Sequence, residues 1–194
     1  MQSIQTVSEN TIYVGASDRR LAKFENLFPI PRGVSYNAYV ILDEKTALLD
    51  TADASVGAQF LENVAAALDG RKLDYLIVDH MEPDHAAMIE AVLVRWPDLR
   101  LVVNAKTLPM LKMYYPADNA AIDDALVVKE GDTLDLGKHK LTFVMAPMVH
   151  WPEVMMTFDT TTGTLFSADA FGTFGALEGA LFADEVDFAG KWLD

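Results

Sequence analysis

Three histidines and three carboxylates are spaced along the chain in a pattern that favours metal binding. Four of them lie in the hexapeptide His80-Met81-Glu82-Pro83-Asp84-His85, directly after the apolar run Tyr75-Leu76-Ile77-Val78. His150 and Asp169 each end, or nearly end, another apolar segment. Carboxylates crowded together with imidazoles repel or desolvate one another unless a positive charge joins them. We therefore predict a metal site formed by His80, Glu82, Asp84, His85, His150 and Asp169.

The donor types narrow the choice of metal. The set combines imidazole nitrogens with three carboxylates and has no thiolate, because the chain has no cysteine. Structural zinc sites close with four ligands, often sulfur, whereas six donors suit two metal ions with a carboxylate such as Asp169 as a bridge. Histidine with carboxylate suits iron or manganese at least as well as zinc. The competing interpretation, an acidic surface loop with incidental histidines, is disfavoured because the hexapeptide follows a strand of buried composition.

Strands and helices alternate in an order that predicts an α/β fold. In an extended segment residues 80 and 82 point the same way, and Pro83 then ends the extended chain. Helices are predicted over Ser55–Leu68, Ala86–Arg95 and Leu108–Tyr115. Ser55 is the expected N-cap of the first helix and Gly70 its C-terminal cap. Thr107 is the expected N-cap of the third helix, and Pro116 ends it. Apolar runs predict strands at Thr11–Gly15, Tyr36–Leu42, Thr46–Asp50, Asp74–Val78, Leu99–Asn104, Ala125–Val128, Lys140–Met145, Val154–Phe158 and Thr164–Ser167.

This order predicts an αββα sandwich, two stacked sheets with helices on their outer faces. The stretch from Phe171 to Asp194 carries four glycines and no strand pattern. The sandwich is therefore expected to be incomplete at its C-terminal end. His139, in the segment Gly137–Lys140, is expected in a solvated hairpin turn rather than at the metal.

Composition argues against several classes of partner. The chain of 194 residues has a net charge of −14, which disfavours nucleic acid and anionic membrane surfaces. Its first residues lack the basic start and apolar core of a signal peptide, and no stretch is long enough to span a bilayer. Cytoplasmic residence is the resulting expectation.

The metal-ligand pattern resembles the metallo-β-lactamase superfamily: His-x-Glu-x-Asp-His after a strand, a distant histidine and then an aspartate. In the zinc hydrolases of that superfamily the position of Glu82 is normally histidine. Glutamate there resembles the flavodiiron proteins, also called A-type flavoproteins. The resemblance covers nearly the whole chain, and its further segments are Tyr36–Tyr39, Lys45–Thr51, Asp79–His85, Ala146–Pro152 and Leu165–Gly172.

The resemblance implies two non-haem iron ions. One iron would be held by His80, Glu82, His150 and Asp169, and the second by Asp84, His85 and the bridging Asp169. The family reduces O₂ to water or NO to N₂O. Electrons arrive from a donor such as rubredoxin or a flavin reductase, through an FMN in a downstream flavodoxin-like domain. In a head-to-tail homodimer that FMN faces the diiron site of the other subunit.

The sequence departs from the family pattern in two ways. No histidine follows His150, so the seventh ligand of the family is absent and the second iron would have three protein ligands. A flavodoxin-like domain is also absent, so residues 1–194 are expected to form a partial β-lactamase-like domain that is inactive alone. Three alternatives stay open: a zinc hydrolase of the same superfamily, which Glu82 disfavours, a non-enzymatic diiron O₂ sensor, and a degenerate subunit with no site occupied. The choice between O₂ and NO stays open as well.

Overall fold

Two facing sheets and five α-helices make up most of the computed structural model, which describes residues 3–115, 119–177 and 179–185. The strands are β1 Gln5–Ser8, β2 Thr11–Tyr13, β3 Ala16–Asp18, β4 Lys23–Phe24, β5 Phe28–Pro29, β6 Val34–Tyr36, β7 Tyr39–Leu42, β8 Thr46–Leu49, β9 Tyr75–Ile77, β10 Arg100–Asn104, β11 Leu126–Val128, β12 Thr133–Asp135, β13 Lys140–Met145, β14 Met155–Asp159 and β15 Thr164–Phe166. The helices are α1 Gly57–Leu68, α2 Pro83–Ala86, α3 Ile89–Arg95, α4 Thr107–Tyr114 and α5 Ala120–Asp123, with 3₁₀ turns at Ala54–Val56 and Ala183–Glu185.

The larger sheet has seven strands in the order β1-β2-β7-β8-β9-β10-β11. Its first four strands pair antiparallel, whereas β8, β9, β10 and β11 run parallel. The smaller sheet, β12-β13-β14-β15, is antiparallel throughout. Parallel strands end at one edge of a sheet, so the segments after β8, β9 and β10 meet there.

Alternating side chains of the larger sheet pack into two separate apolar layers. On one face Leu48 and Leu76 pack with Phe60 of α1, Ile89 of α3 and other helical residues. On the opposite face the larger sheet meets the smaller one, and this layer contains Ile41, Leu49, Ile77, Phe143 and Met155. The predicted α/β sandwich is therefore confirmed, with the helices named above packed on the outer face of the larger sheet. None of the described helices is long and apolar enough to cross a membrane.

The helices differ from the prediction at their ends. Asp53, rather than Ser55, caps the 3₁₀ turn that precedes α1, because its side chain accepts a hydrogen bond from Ser55 N at 2.7 Å. The predicted helix Ala86–Arg95 is divided into α2 and α3, and α2 begins at Pro83.

The remaining caps also differ in part. Asn104 takes the capping role predicted for Thr107, since Asn104 Oδ1 accepts the N–H groups of Lys106 and Thr107. The left-handed residue that ends α1 is Asp69, followed by Gly70 at φ +80°. Pro116 lies outside the described residues.

The strand prediction was wrong where the pairing is short or irregular. The predicted strand Tyr36–Leu42 is split, because Tyr36 pairs with Ala16 in the small β3–β6 sheet whereas β7 pairs with β2 and β8. Strands β1, β3, β4, β5, β6 and β12 were not predicted as separate strands. Most have two or three residues, too few for a hydrophobic period to be visible.

His139 was wrongly predicted to be solvated. It follows a turn between β12 and β13, but it is fully buried, and its Nδ1 lies 2.8 Å from Asp159 Oδ2. Thr161 N and Thr162 Oγ1 also donate to the Asp159 carboxylate. Burial works to raise the pKa of Asp159, but the hydrogen bonds of Thr162 and His139 hold it below its usual value. His139 is thus part of a buried structural pair away from the metal-ligand residues.

Replacing His139 by Leu is expected to destabilise the fold by about 2 kcal/mol, because the buried carboxylate of Asp159 loses a partner. His139→Asn keeps a donor and should lose less. Urea unfolding measures the stability of both variants.

The pH dependence gives a second test. Because folding lowers the pKa of Asp159, the ionised carboxylate stabilises the fold above the ordinary carboxyl pKa of about 4. This stabilisation is lost as the pH falls through the pKa of the folded state. The difference between His139→Leu and the unchanged chain should therefore shrink in acid, and equal stability at pH 7 contradicts the assignment.

Candidate metal centre

The hexapeptide lies at the carboxyl end of β9, where the chain leaves the sheet and enters α2. Glu82 has an extended backbone and precedes Pro83, the first residue of α2, at which a missing N–H costs nothing. His85 is held inside the short helix by its N–H, which donates to Glu82 O at 2.9 Å. His80 and Glu82 therefore approach from the loop, and Asp84 and His85 from the first helical turn.

The structure brings all six predicted residues together in two groups. In each group the nitrogen or oxygen atoms lie within 4.8 Å of one another. The groups are His80, Glu82, His150 and Asp169, and Asp84, His85 and Asp169. Among the described residues the second group has three members, the number that the family resemblance implies for this sequence. Coordination of a metal by these residues stays a prediction.

Asp169 lies between the two groups and contributes one oxygen to each. Its Oδ1 is 2.7 Å from His85 Nε2, and its Oδ2 is 3.1 Å from His150 Nε2 and 3.3 Å from His80 Nε2. The residue belongs to the turn after β15, in which the Asp169 carbonyl accepts the N–H of Gly172 at 3.0 Å. A carboxylate with its two oxygens divided in this way has the arrangement of a bridging ligand.

Glu82 joins the two histidines of the first group. Its Oε2 lies 3.1 Å from His80 Nε2 and 2.7 Å from His150 Nε2. The His80 side chain is fully buried, whereas the His150 side chain, in the loop between β13 and β14, is 55% exposed. The first group is thus closed on the side of the sheet and open to the exterior beside His150.

Buried carboxylates orient two of the histidines. His80 Nδ1 is 2.8 Å from Glu153 Oε1, and His85 Nδ1 is 2.9 Å from Asp50 Oδ2. A carboxylate accepts from Nδ1–H, so Nδ1 of each ring carries a proton, and Nε2 is the nitrogen that faces the centre of the site and would bind a metal there. Outer partners of this kind fix the orientation of metal-ligating histidines.

Glu153 and Asp50, which carry the outer carboxylates, are themselves held by hydrogen bonds to their backbone or side-chain atoms. The Asn104 side-chain amide, at the end of β10, donates to Glu153 O at 2.5 Å. Glu153 Oε1 also accepts the Met81 N–H at 3.0 Å, and Asp50 Oδ1 accepts the Asp79 N–H at 2.7 Å. The metal-ligand histidines are consequently connected to the larger sheet through hydrogen bonds.

Sequence reasoning missed Asp50, Glu153 and Asn104 as parts of the site. A signal existed for two of them, since Asp50 directly follows β8 and Asn104 ends β10, the two strands that flank β9 in the parallel part of the sheet. Polar residues at adjacent parallel strand ends are expected to meet. Glu153 has no such signal, because it reaches His80 from a loop 73 residues away in sequence.

The site concentrates charge that needs compensation. Burial lowers the pKa of His80, but hydrogen bonds to Asp169, Glu153 and Glu82 outweigh it and raise that pKa to about 11. Burial works to raise the pKa of Asp169, yet the hydrogen bonds of His80 and His85 hold it well below its usual range. Burial raises the pKa of Asp84 to about 6. The negative charges of these carboxylates would therefore be balanced well by a bound metal cation.

The donor set fits two divalent cations. Asp84 Oδ1 is buried and has no hydrogen-bond partner among the described residues, as expected of an oxygen reserved for a metal. Three carboxylates with three imidazoles match the ligand preference of iron or manganese. The fold and this site together define a β-lactamase-like domain with a candidate dinuclear metal centre.

Comparison with known proteins agrees with that class. The chain belongs to the family described as ODP family beta lactamase, whose model matches residues 34–191. It is 38% identical over 185 residues to the anaerobic nitric oxide reductase flavorubredoxin of Klebsiella pneumoniae, and 37% identical over 183 residues to a flavorubredoxin homolog of Escherichia coli O157:H7. Each match includes 93% of this chain but 37% and 44% of the relatives, so the chain spans less than half of their length.

Solved structures show the same relationship. The flavodiiron protein of Giardia intestinalis superposes with a TM-score of 0.88 at 28% identity, covering 98% of this chain and 45% of that one. Rubredoxin oxygen:oxidoreductase of Desulfovibrio gigas also has a TM-score of 0.88, at 30% identity, with coverage of 96% and 46%. The resemblance to flavodiiron proteins that the sequence indicates is therefore confirmed.

Replacing Glu153 by Leu is expected to weaken metal binding about 10- to 100-fold, because His80 loses the acceptor that orients its ring. Competition titration with a chelator of known affinity measures the change. Glu90→Leu, on the exposed side of α3, is the control and should bind metal like the unchanged chain. If the Glu153 variant binds metal equally well, Glu153 does not orient the ligand.

Proposed function

We propose that the chain is the metal-binding part of a diiron oxidoreductase that reduces O₂ to water, NO to N₂O, or both. One observation carries the proposal: Asp169 divides its two oxygens between two groups that each contain a further carboxylate. Two ions so close together would suit the binding of one O₂ or of two NO molecules, with one electron available at each ion. The names of the similar proteins, a nitric oxide reductase and an oxygen oxidoreductase, support the same reaction class.

In this proposal His80, Glu82, His150 and Asp169 hold one ferrous ion, and Asp84, His85 and Asp169 hold the other. Two ferrous ions held there would supply two electrons together, which is enough to reduce two NO to N₂O, whereas the reduction of O₂ to water takes four and would draw the other two from the external donor. The carboxylates of Glu82, Asp84 and Asp169 contribute three negative charges against four positive charges, which leaves about one positive charge and favours oxidation. A site of imidazoles alone keeps more positive charge and favours water activation.

The cavity in front of the metal ligands has partly apolar walls, which suit an uncharged substrate. It has a volume of about 660 Å³, and the ligands Glu82, Asp84, His85, His150 and Asp169 form part of its wall. Aromatic side chains form much of the remainder: Phe24, Phe28, Phe171, Phe174 and Phe182. Apolar walls of this kind admit O₂ and NO readily.

The electron supply completes the proposal. We place FMN in a flavodoxin-like domain or partner outside residues 1–194, and we take these residues as one β-lactamase-like domain. Rubredoxin or a flavin reductase is the proposed donor, and a head-to-tail homodimer would bring the FMN of one subunit to the metal site of the other. The exposed side chains Phe171 and Met148, 92% and 70% accessible beside the site, support a docking surface there. Cytoplasmic residence remains a prediction.

The zinc hydrolase alternative is not favoured. Glu82 contributes an oxygen in the middle of the first group, between His80 and His150, where the hydrolases have an imidazole. The similar proteins named above carry oxidoreductase names. A non-enzymatic O₂ sensor uses the same ligands, and it differs from a reductase in binding O₂ reversibly without consuming it.

Variants of the acidic ligands are expected to separate the two metal positions. Asp84→Ala removes a ligand of the second group alone, so the chain should retain about one iron after anaerobic reconstitution with ferrous ion. Asp169→Ala removes a ligand from both groups and should lose both irons. Iron and zinc per chain, measured by plasma mass spectrometry, give the counts. Equal retention by the two variants contradicts a bridging role for Asp169.

The reaction itself is tested by supplying electrons directly. The iron-loaded chain, mixed with chemically reduced FMN, should consume NO or O₂ under electrode detection faster than reduced FMN alone. The Asp169→Ala chain is the control for free iron. Reversible O₂ binding without consumption would assign the chain to the sensor class, and two tightly bound zinc ions with ester or lactam hydrolysis would assign it to the hydrolases.

A further inference from the structure

The three histidines of the candidate metal centre are held in different ways. The Nδ1 atoms of His80 and His85 each lie within hydrogen-bond distance of a buried carboxylate, at 2.8 and 2.9 Å. In the part of the chain that the structure describes, the hydrogen-bond partners of the His150 ring all lie at Nε2, the nitrogen that faces the site. Rotation of an imidazole about its Cβ–Cγ bond is broad, so a ring held at one nitrogen needs a further restraint.

The indole ring of Trp151 packs against both histidines of the first group. Its centroid lies 5.3 Å from that of His80, with the ring planes at 89°, and 6.2 Å from that of His150, with the planes at 69°. The His80 and His150 rings are themselves 5.3 Å apart, at 74°. Aromatic rings at these separations and angles attract one another edge to face. The three rings therefore form one cluster beside the first metal position.

The backbone on both sides of Trp151 is anchored, so its indole has a fixed place. The Trp151 carbonyl accepts the N–H of Met148 at 2.8 Å, which closes a tight turn around His150. The next carbonyl, that of Pro152, accepts a hydrogen bond from Lys106 Nζ at 3.0 Å. Lys106 directly precedes α4, so the loop that carries Trp151 is tied to the end of the larger sheet.

We propose that Trp151 is a positioning residue for His150 and His80: its indole packs on both imidazoles and keeps their Nε2 atoms directed at the first metal position. For His150 this packing takes the place of the outer carboxylate that the other two histidines have. The inference rests on the proposed metal centre and adds a residue beyond the predicted ligands and their hydrogen-bond partners. Trp151 is not a ligand itself, because its indole nitrogen is a donor only.

Cobalt(II) titration of the 194-residue chain tests this role, because the visible spectrum of the ion reports both affinity and ligand geometry. Trp151→Leu is expected to weaken the first metal position about 10-fold and to change its spectrum, since the two imidazoles lose the ring that orients them. The second position, which includes Asp84 and His85, should keep its affinity. Trp151→Phe keeps an aromatic ring and should retain most of the affinity and the original spectrum.

Trp96→Leu is the matched control, because it removes the same type of ring elsewhere in the fold. Trp96 ends α3, packs on the helical layer and lies outside both metal-ligand groups. This variant should lose fold stability while binding cobalt like the unchanged chain. Trp151→Met, which fills space without a ring, repeats the test at position 151 with a second residue type. Urea unfolding of the metal-free chains shows which variants fold.

Four results would count against this role. Unchanged affinity and spectrum in Trp151→Leu and Trp151→Met, with two ions bound, overturn the inference and leave the metal centre intact. Equal losses in the Leu and Phe variants of Trp151 overturn it as well, because an aromatic ring is then not what positions the histidines. An equal loss in Trp96→Leu overturns it too, because reduced fold stability is then the cause. If the unchanged chain binds no cobalt, the metal centre and this inference both fail.

Discussion

Two buried histidine–carboxylate contacts, His80 with Glu153 and His85 with Asp50, are the interactions on which the candidate centre depends. Each places a proton on Nδ1 and leaves Nε2 for the interior of the site. A buried carboxylate without a partner is costly, so each contact satisfies the outer residue as well as orienting the inner one. These contacts fix the orientation of the two histidine rings.

The parallel part of the larger sheet supplies the fixed frame for these contacts. Strands β8, β9 and β10 end at the same edge and deliver Asp50, His80 and Asn104 to one place. The smaller sheet brings His150 and Asp169 from the opposite side, on the loops before β14 and after β15. Because donors from both sheets converge, metal binding also connects the two halves of the sandwich, and stability is expected to rise on loading.

Much of this arrangement was predictable from the sequence, and the reasons for the exceptions are physical. The six ligand residues could be identified because their types are rare together and because four fall in one hexapeptide. The buried strands of the larger sheet could be identified from their apolar runs. Glu153 and the His139–Asp159 pair could not, because each depends on contacts between distant segments. Charge pattern alone does not show that a histidine such as His139 is buried against a carboxylate.

The central claim is that one carboxylate, Asp169, brings two metal ions together. X-ray absorption spectroscopy on the iron-reconstituted chain tests it most directly, because it reports the distance between neighbouring iron atoms. The account predicts about two irons per chain and an iron–iron scattering contribution at roughly 3.5–4 Å, the separation typical of two-metal sites. Iron bound at one position, or two irons without that contribution, would contradict the account.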